Sequence, residues 1–175
     1  MSNIFNDFDL SSFWDECEYA LSTYRLEEAD EATISEVETK LSYKLPDSYI
    51  ELMQYKNGGI PCNTAFPTQE STTWATSHVA IAGIMGIGSS KSYSLCGSMG
   101  SQFMIDEWGY PNIGIYFGNC PSAGHDMIAL DYRKCGLSGI PQVVHVAQVS
   151  DYKITFLAHT FEEFVKGLVP DHVFD

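Results

Sequence analysis

The hydrophobic residues in the first third of the chain recur at the spacing of amphipathic helices. The clearest helix begins at Pro46, a residue that lacks an amide proton and therefore suits a first helical position. Four residues at helical spacing are predicted to share one face of it: Tyr49, Leu52, Met53 and Lys56. The segment Asn57-Gly58-Gly59 should end this helix, because Asn and Gly adopt the left-handed backbone conformation at low cost.

Three further helices are predicted from the same kind of pattern. The first is N-capped by Ser11 or Ser12. Its apolar face is made of Phe13, Trp14, Cys17, Ala20, Leu21 and Tyr24. The second follows the N-cap Asp30, and its apolar face is made of Ile34, Val37 and Leu41. The last begins near the end of the chain with the capping box Thr160-Phe161-Glu162-Glu163.

The middle of the chain is rich in β-branched and aromatic residues separated by turn residues. Strands are predicted over residues 79–87, 112–118, 127–132, 142–147 and 152–158. Residues 60–69 are predicted as a loop because they contain Pro61 and Pro67. Residues 92–104 are compatible with a weak helix or with a pair of strands. Helices, then strands, then a final helix predict a single α+β domain with a mainly antiparallel sheet.

Composition fits one soluble domain. The chain has 175 residues, of which 45% are hydrophobic and 18% charged, which is enough for one core and argues against disorder. No apolar run reaches the length of a membrane helix, and the N-terminus has no signal-peptide pattern, so we expect a cytoplasmic protein with no membrane partner. The five cysteines contain no Cys-x-x-Cys pair and are expected to be reduced thiols.

The formal net charge of −14 is uneven along the chain. Residues 1–60 hold 13 of the 23 acids but only four of the nine Lys and Arg residues. Such a surface repels phosphate backbones, which argues against nucleic-acid binding. Two interpretations stay open: the acids keep the protein soluble, or they steer it toward a basic partner.

Cys120, His125, Asp126 and Asp131 lie close together in the sequence and raise the possibility of a thiol catalyst or a metal site. No family-specific cysteine motif surrounds Cys120, and no histidine pair has metal-ligand spacing. His125 and Asp126 would also face opposite sides of a strand. We therefore predict that Asp126 caps a turn and that Asp131 points to solvent, with no catalytic residue, no metal and no cofactor.

Five landmarks occur in a fixed order along residues 26–169. They are a helix over Ile34–Leu41, Leu45-Pro46-x-x-Tyr49 with Asn57-Gly58-Gly59, the segment 124–132 with its strand, the strand Pro141-Gln142-Val143-Val144, and Thr160-Phe161-x-x-Phe164. This order resembles the SUKH superfamily, in particular its Smi/Knr type. The resemblance implies a domain over residues 26–175 in which helices pack on a curved sheet. Residues 1–25 are then an N-terminal helical extension.

The resemblance also implies a binding protein rather than an enzyme. Bacterial members of the superfamily are mostly immunity proteins encoded beside polymorphic toxins, which are often nucleases, and fungal relatives regulate cell-wall synthesis as interaction hubs. We therefore expect an immunity protein that neutralises a basic toxin domain by occlusion. The alternative is a regulatory or scaffolding protein without a toxin partner. The sequence does not set the oligomeric state.

Two groups of residues are candidates for partner binding. The first is the acidic segment with Glu27, Glu28, Asp30 and Glu31, which is explained either as helix-entry chemistry or as a surface that meets Lys and Arg. The second is Asp106, Glu107, Trp108 and Tyr110, where aromatic residues lie beside acids in a predicted loop. Core burial is the competing explanation for the two aromatic residues and for Trp74.

Overall fold

Helices lie at both ends of the chain and most of the strands lie between them in the computed structural model, which describes residues 3–175. The α-helices are α1 (Glu18–Thr23), α2 (Glu31–Leu41), α3 (Asp47–Tyr55), α4 (Ser101–Asp106) and α5 (Phe161–Gly167). The strands are β1 (Trp14–Asp15), β2 (Ile60–Pro61), β3 (Ala65–Pro67), β4 (His78–Ala80), β5 (Gly83–Ile84), β6 (Gly114–Asn119), β7 (Asp126–Asp131), β8 (Gln142–Ala147) and β9 (Lys153–Ala158). Short 3-10 helices cover Leu10–Ser12, Gln148–Ser150 and Asp171–Phe174.

The main sheet has five antiparallel strands in the order β5-β6-β7-β8-β9. Register shifts interrupt its pairing between Tyr116 and Gly118 and between Val143 and Val144. Such irregularities bend a strand and increase its local twist. Two small antiparallel pairs, β1-β2 and β3-β4, complete the strands. The α+β class and the mainly antiparallel sheet predicted from the sequence are confirmed.

Helices α3 and α5 are joined to the sheet by a cluster of aromatic rings. Phe161 of α5 contacts Tyr49 of α3 at a centroid distance of 4.6 Å and Phe117 of β6 at 5.3 Å. Phe164 contacts Phe117 at 5.6 Å and Phe66 of β3 at 5.0 Å. The buried Tyr49 hydroxyl donates a hydrogen bond to the Met85 carbonyl. These contacts place the two helices on one face of the sheet.

The predicted helix signals for α2, α3 and α5 agree with the structure, with one shift. Asp30 caps α2 by accepting a hydrogen bond from the Thr33 amide at 2.8 Å, and Thr160 caps α5 in the same way. Pro46 is the N-cap residue of α3 rather than its first helical residue. The chain then leaves α3 through Gly58, which has φ +90° as the Asn-Gly-Gly segment predicts.

Three local predictions are wrong. The helix expected from Phe13 begins only at Glu18, because Trp14 pairs with Pro61 in β1-β2 instead. Residues 60–69 contain the short strands β2 and β3, not only loop, and the run 79–87 is divided between β4 and β5. This run breaks because β4 pairs with β3 whereas β5 pairs with β6. Of the two options for residues 92–104, a helix forms, α4, at their C-terminal end.

The described part of the N-terminal segment packs on the rest of the chain. Phe5, Phe13 and Trp14 are buried in the same hydrophobic core as the sheet. The hydroxyl of Tyr24 donates to Asn119 Oδ1 at 2.8 Å, which connects the region after α1 to the end of β6. None of the helices in the described residues combines the length and hydropathy that a membrane span requires.

Candidate protein-binding site

All four residues of the predicted acidic segment are exposed: Glu27, Glu28, Asp30 and Glu31. Asp30 is also the N-cap of α2, where it has the predicted helix-entry role. The hydrogen bond that it accepts from the Thr33 amide lowers the pKa of its carboxyl. The helix-entry explanation offered by the sequence is therefore confirmed at this residue. Its neighbours carry exposed negative charge at the N-terminal end of α2, where the helix dipole favours it.

Glu28 and Glu31 line a groove together with Asp47 and Glu51 of α3, and we call it the acidic groove. Its volume is about 900 Å³. Its remaining walls are Asn3, Phe5, Asn6, Leu10, Ile50, Gln54 and Tyr55. No Lys, Arg or His is among the described residues that line it. The acidic groove thus combines uncompensated carboxylates with apolar surface, including Tyr55, whose side chain is 44% exposed.

The N-terminal wall of the acidic groove is fixed by one side chain. Glu51 Oε2 accepts a hydrogen bond from the Phe5 amide at 2.8 Å, and its Oε1 accepts one from the Ile4 amide at 3.1 Å. Charged acceptors make such bonds stronger than neutral ones. Glu51 is therefore partly occupied in holding the chain, whereas Glu28, Glu31 and Asp47 are exposed to solvent.

A second groove, of about 840 Å³, shares the lining residue Glu28 with the acidic groove. Its acids are Glu27, Glu28, Asp30 and Glu36, and its cations are Arg25, Lys40 and Lys91. Lys40 pairs with Glu36 at 3.1 Å, and Arg25 pairs with Glu16 at 3.1 Å. The charges of this second groove are mixed, so it is a weaker candidate for attracting a basic partner than the acidic groove.

The second predicted group does not lie in one place. Asp106 and Glu107 are exposed at the end of α4, and Trp108 is partly buried. Tyr110, by contrast, is buried: its hydroxyl donates to the Gly124 carbonyl at 2.6 Å and its ring contacts Tyr116 at 5.1 Å. Tyr110 is therefore a core residue and is not presented to a partner. Trp74 is 42% exposed and lines neither groove described above.

Trp108 lines a smaller and more enclosed cavity, which we call the aromatic pocket. Its volume is about 400 Å³. Its walls are Tyr19, Tyr24, Ala82, Tyr93, Met99, Met104, Trp108, Asn119, Cys120, Pro121, Ala123, Gly124 and Met127. Cavities of this size and composition bind small molecules or single side chains.

The position of Trp108 is fixed from both sides. Its carbonyl accepts a hydrogen bond from the Tyr152 hydroxyl at 2.5 Å, and its ring meets the His125 ring edge-on at 5.7 Å. Gly124 has φ +93°, and a Cβ there would lie 3.0 Å from the indole. The left-handed backbone and the close approach of the indole both require glycine at position 124.

Cys120, Asp126 and His145 form a buried polar network below the aromatic pocket. Their potential ligand atoms lie within 4.8 Å of one another. Asp126 Oδ2 is 2.7 Å from His145 Nε2, and Asp126 Oδ1 accepts a hydrogen bond from the Ser122 hydroxyl. Burial alone would raise the pKa of Asp126, but the hydrogen bonds from His145 and Ser122 outweigh it and the pKa is lowered. A metal ion here would have to displace the His145–Asp126 hydrogen bond.

This network is not arranged for nucleophilic catalysis. A cysteine nucleophile needs a base that removes its proton and lowers its pKa. Burial and the Asp126 carboxylate instead raise the pKa of Cys120 well above its ordinary value. His145 pairs with Asp126, and the buried His145 Nδ1 has no hydrogen-bond partner within the described chain. His125, the histidine considered from the sequence, is exposed and contacts Gln148 instead.

Asp131 does not point to solvent as predicted but is buried at the end of β7. Its carboxylate accepts hydrogen bonds from the Arg133 guanidinium, with Nη2 at 2.7 Å from Oδ2 and Nε at 3.0 Å from Oδ1. Burial opposes ionisation, yet these bonds and the Arg133 amide hold the pKa of Asp131 below its ordinary value. The sequence prediction failed because both faces of β7 are covered, so strand alternation does not expose either side.

The SUKH family model described as SMI1-KNR4 cell-wall matches residues 31–165 of the chain. That match covers well over half of the 175 residues, and the chain belongs to this family. The resemblance predicted from the order of the five landmarks is thereby confirmed. A comparison with curated proteins gives no match.

Sequence reasoning missed the acids and the aromatic residue that α3 adds to the acidic groove. Asp47 and Glu51 are four residues apart, so they share one face of α3, and Tyr55 continues that face. This spacing was a usable signal. Nothing in the sequence, however, indicated that Glu28 and Glu31 would lie beside them, because that proximity depends on how α2 and α3 pack.

Proposed function

We propose that the protein is a non-enzymatic binding module whose acidic groove receives a basic protein partner. The most specific form of this proposal is an immunity protein in the cytoplasm that neutralises a cognate toxin domain by occlusion. Membership of the SUKH family supports a binding role. The charge of −14 supports a basic partner, because opposite charges accelerate encounter and exclude acidic competitors.

The observation that carries the proposal is the composition of the acidic groove. Four carboxylates line it, and no cation is among its described lining residues. Leu10, Ile50 and Tyr55 supply apolar contact area beside the charges. Basic residues on a toxin would pair with the carboxylates, and apolar side chains would be buried between them. A toxin whose substrate-binding cations are engaged in this way is blocked without any chemistry on the part of the inhibitor.

Co-expression tests the immunity proposal. A basic toxin domain encoded beside the gene is expressed in a bacterial host, alone and with the protein. We expect the wild type to restore growth and the double variant Glu28→Lys/Glu31→Lys to lose this protection. The matched control is Asp171→Lys/Asp175→Lys, which makes the same change of charge at exposed positions that line neither the acidic groove nor the aromatic pocket.

Each result has a distinct meaning. Protection that survives E28K/E31K but is lost with D171K/D175K moves the interface to the 3-10 helix Asp171–Phe174 and overturns the groove assignment. Protection unaffected by either variant overturns charge-guided occlusion. A gene with no neighbouring toxin frame favours the alternative, a regulatory or scaffolding protein, which the cell-wall description of the matching family also allows.

A further inference from the structure

We propose that the aromatic pocket binds a guanidinium group, as an arginine side chain from the partner would supply it. This inference rests on the proposed function, since a basic partner supplies the arginine, but it concerns a different site. No residue lines both the aromatic pocket and the acidic groove.

The walls of the aromatic pocket have the chemistry of a cation-binding cage. Four aromatic residues line it: Tyr19, Tyr24, Tyr93 and Trp108. The faces of such rings attract cations, and indole is the strongest of them. A planar guanidinium can also stack on a ring, which an ammonium cannot do. Tyr24 and Tyr93 already stack on each other with centroids 5.5 Å apart, so the wall they form is preorganised.

The remaining lining also favours a cation with an aliphatic stem. Met99, Met104 and Met127 contribute polarisable thioethers that accommodate irregular apolar shapes. Asn119 contributes a side-chain carbonyl oxygen that already accepts the Tyr24 hydrogen bond. An arginine side chain has both parts, a three-carbon stem for the methionines and a charged plane for the rings.

The charges around the aromatic pocket agree with a cationic guest. No Lys, Arg or His is among the described residues that line it. The exposed acids Glu18 and Glu107 directly precede the lining residues Tyr19 and Trp108, and Asp106 lies two residues before Trp108. Arg25, which follows the lining residue Tyr24, is paired with Glu16 at 3.1 Å. Lys91 is the cation nearest in sequence to Tyr93, and its ammonium is engaged by the Leu21 carbonyl at 2.7 Å.

The pocket is accessible at its rim and closed at its floor. Tyr19 is 62% exposed, whereas Tyr24, Cys120 and Met127 are buried. A guest would therefore enter past the exposed Tyr19 and the partly buried Trp108 and lose much of its hydration inside. Partial desolvation strengthens a cation–π contact relative to an exposed one.

Titration of the full chain with three small probes tests this proposal. The probes are N-acetyl-arginine amide, its neutral isostere N-acetyl-citrulline amide, and N-acetyl-norleucine amide. NMR spectra of the methionine methyl groups and of the Trp108 indole report the occupancy of the pocket. We expect the arginine probe to shift the signals of Met99, Met104 and Trp108, and to bind at least about fivefold more tightly than the citrulline probe.

Two variants complete the experiment. Trp108→Leu should weaken the arginine probe by about fivefold, whereas Trp74→Leu, which changes a tryptophan outside the lining, should not. The methyl spectra show whether each variant is folded, and Tyr19→Leu is a second test at an exposed wall residue. Equal binding of citrulline or norleucine, or no shift with any probe, overturns the proposal. The groove proposal is judged separately, because E28K/E31K should leave arginine-probe binding unchanged.

Discussion

The carboxylate of Glu51 accepts a hydrogen bond from the backbone amide of Phe5 at 2.8 Å. This contact joins α3, which lies within the family match, to a segment that lies before it. Phe5 is itself buried, and both residues line the acidic groove. The N-terminal segment is therefore a wall of the candidate binding site, and α3 holds it there.

Replacing Glu51 by Gln should loosen this wall. The change removes the charge and one of the two acceptor oxygens used by Ile4 and Phe5, at a cost of about 1 kcal/mol. We expect faster hydrogen–deuterium exchange at these two amides. Glu31→Gln is the control, since it removes the same charge from the groove without touching the segment. Equal exchange in both variants would show that Glu51 does not hold the wall.

Gly58 and Gly136 offer a matched pair of glycine substitutions, because both have a positive φ. Gly58 has φ +90°, and a Cβ there would lie 2.8 Å from both the Gly86 amide nitrogen and the Tyr24 carbonyl oxygen. Gly136 has φ +77° but nothing within 4 Å of its would-be Cβ. Alanine strains the backbone at both positions. We expect Gly58→Ala to cost at least about 1 kcal/mol more, because backbone must move to accept the methyl group. Urea unfolding measures this difference, and equal losses would contradict it.

The Tyr24–Asn119 hydrogen bond should contribute to stability. Tyr24 is buried, and burial raises the pKa of its hydroxyl, so the group is a neutral donor at physiological pH. Tyr24→Phe removes the donor and leaves Asn119 Oδ1 without it, which should lower the free energy of unfolding by about 1 kcal/mol. Tyr93→Phe is the control because its hydroxyl makes no hydrogen bond in the described residues. A Tyr24→Phe protein as stable as the wild type would refute this role.

The ion pair between Asp131 and Arg133 should make the stability of the fold depend on pH. Because the pKa of Asp131 is lowered on folding, its contribution is present above the unfolded-state pKa of about 3.9 and is lost as the pH falls through the folded-state value. At pH 7, Asp131→Asn should therefore lower stability by about 1 kcal/mol. The difference in the free energy of unfolding between wild type and variant should disappear in acid. Chemical unfolding across this pH range measures it, and a gap that is constant with pH would contradict the assignment.

The sequence predicted helices best where local capping chemistry decides the structure. The side chains of Asp30 and Thr160 each accept a hydrogen bond from an amide three residues ahead, and α2 and α5 begin directly after these two residues. The helix predicted around Phe13 does not form there, because Trp14 pairs in a strand with Pro61, which is distant in sequence. Propensity and periodicity are local quantities, and such a contact overrides them.

The candidate site was predicted only in part, for a related reason. Exposure of Glu28 and Glu31 follows from their place at a helix entry. Their proximity to Asp47 does not, because it depends on the packing of two helices. Tyr110 illustrates the opposite error: acids nearby suggested an exposed loop, but its hydroxyl finds the Gly124 carbonyl inside the fold. A buried tyrosine with a partner cannot be told from an exposed one by its neighbours in sequence.

Partner capture from the native host tests the central claim most directly. Immobilised wild type, E28K/E31K and D171K/D175K proteins are compared at low salt, and bound proteins are identified by mass spectrometry. We predict that the wild type and D171K/D175K retain the same basic protein and that E28K/E31K loses it, with wild-type association slowing as salt is raised. Equal capture by all three proteins, or a wild-type partner that is not basic, would contradict the acidic groove as the binding site.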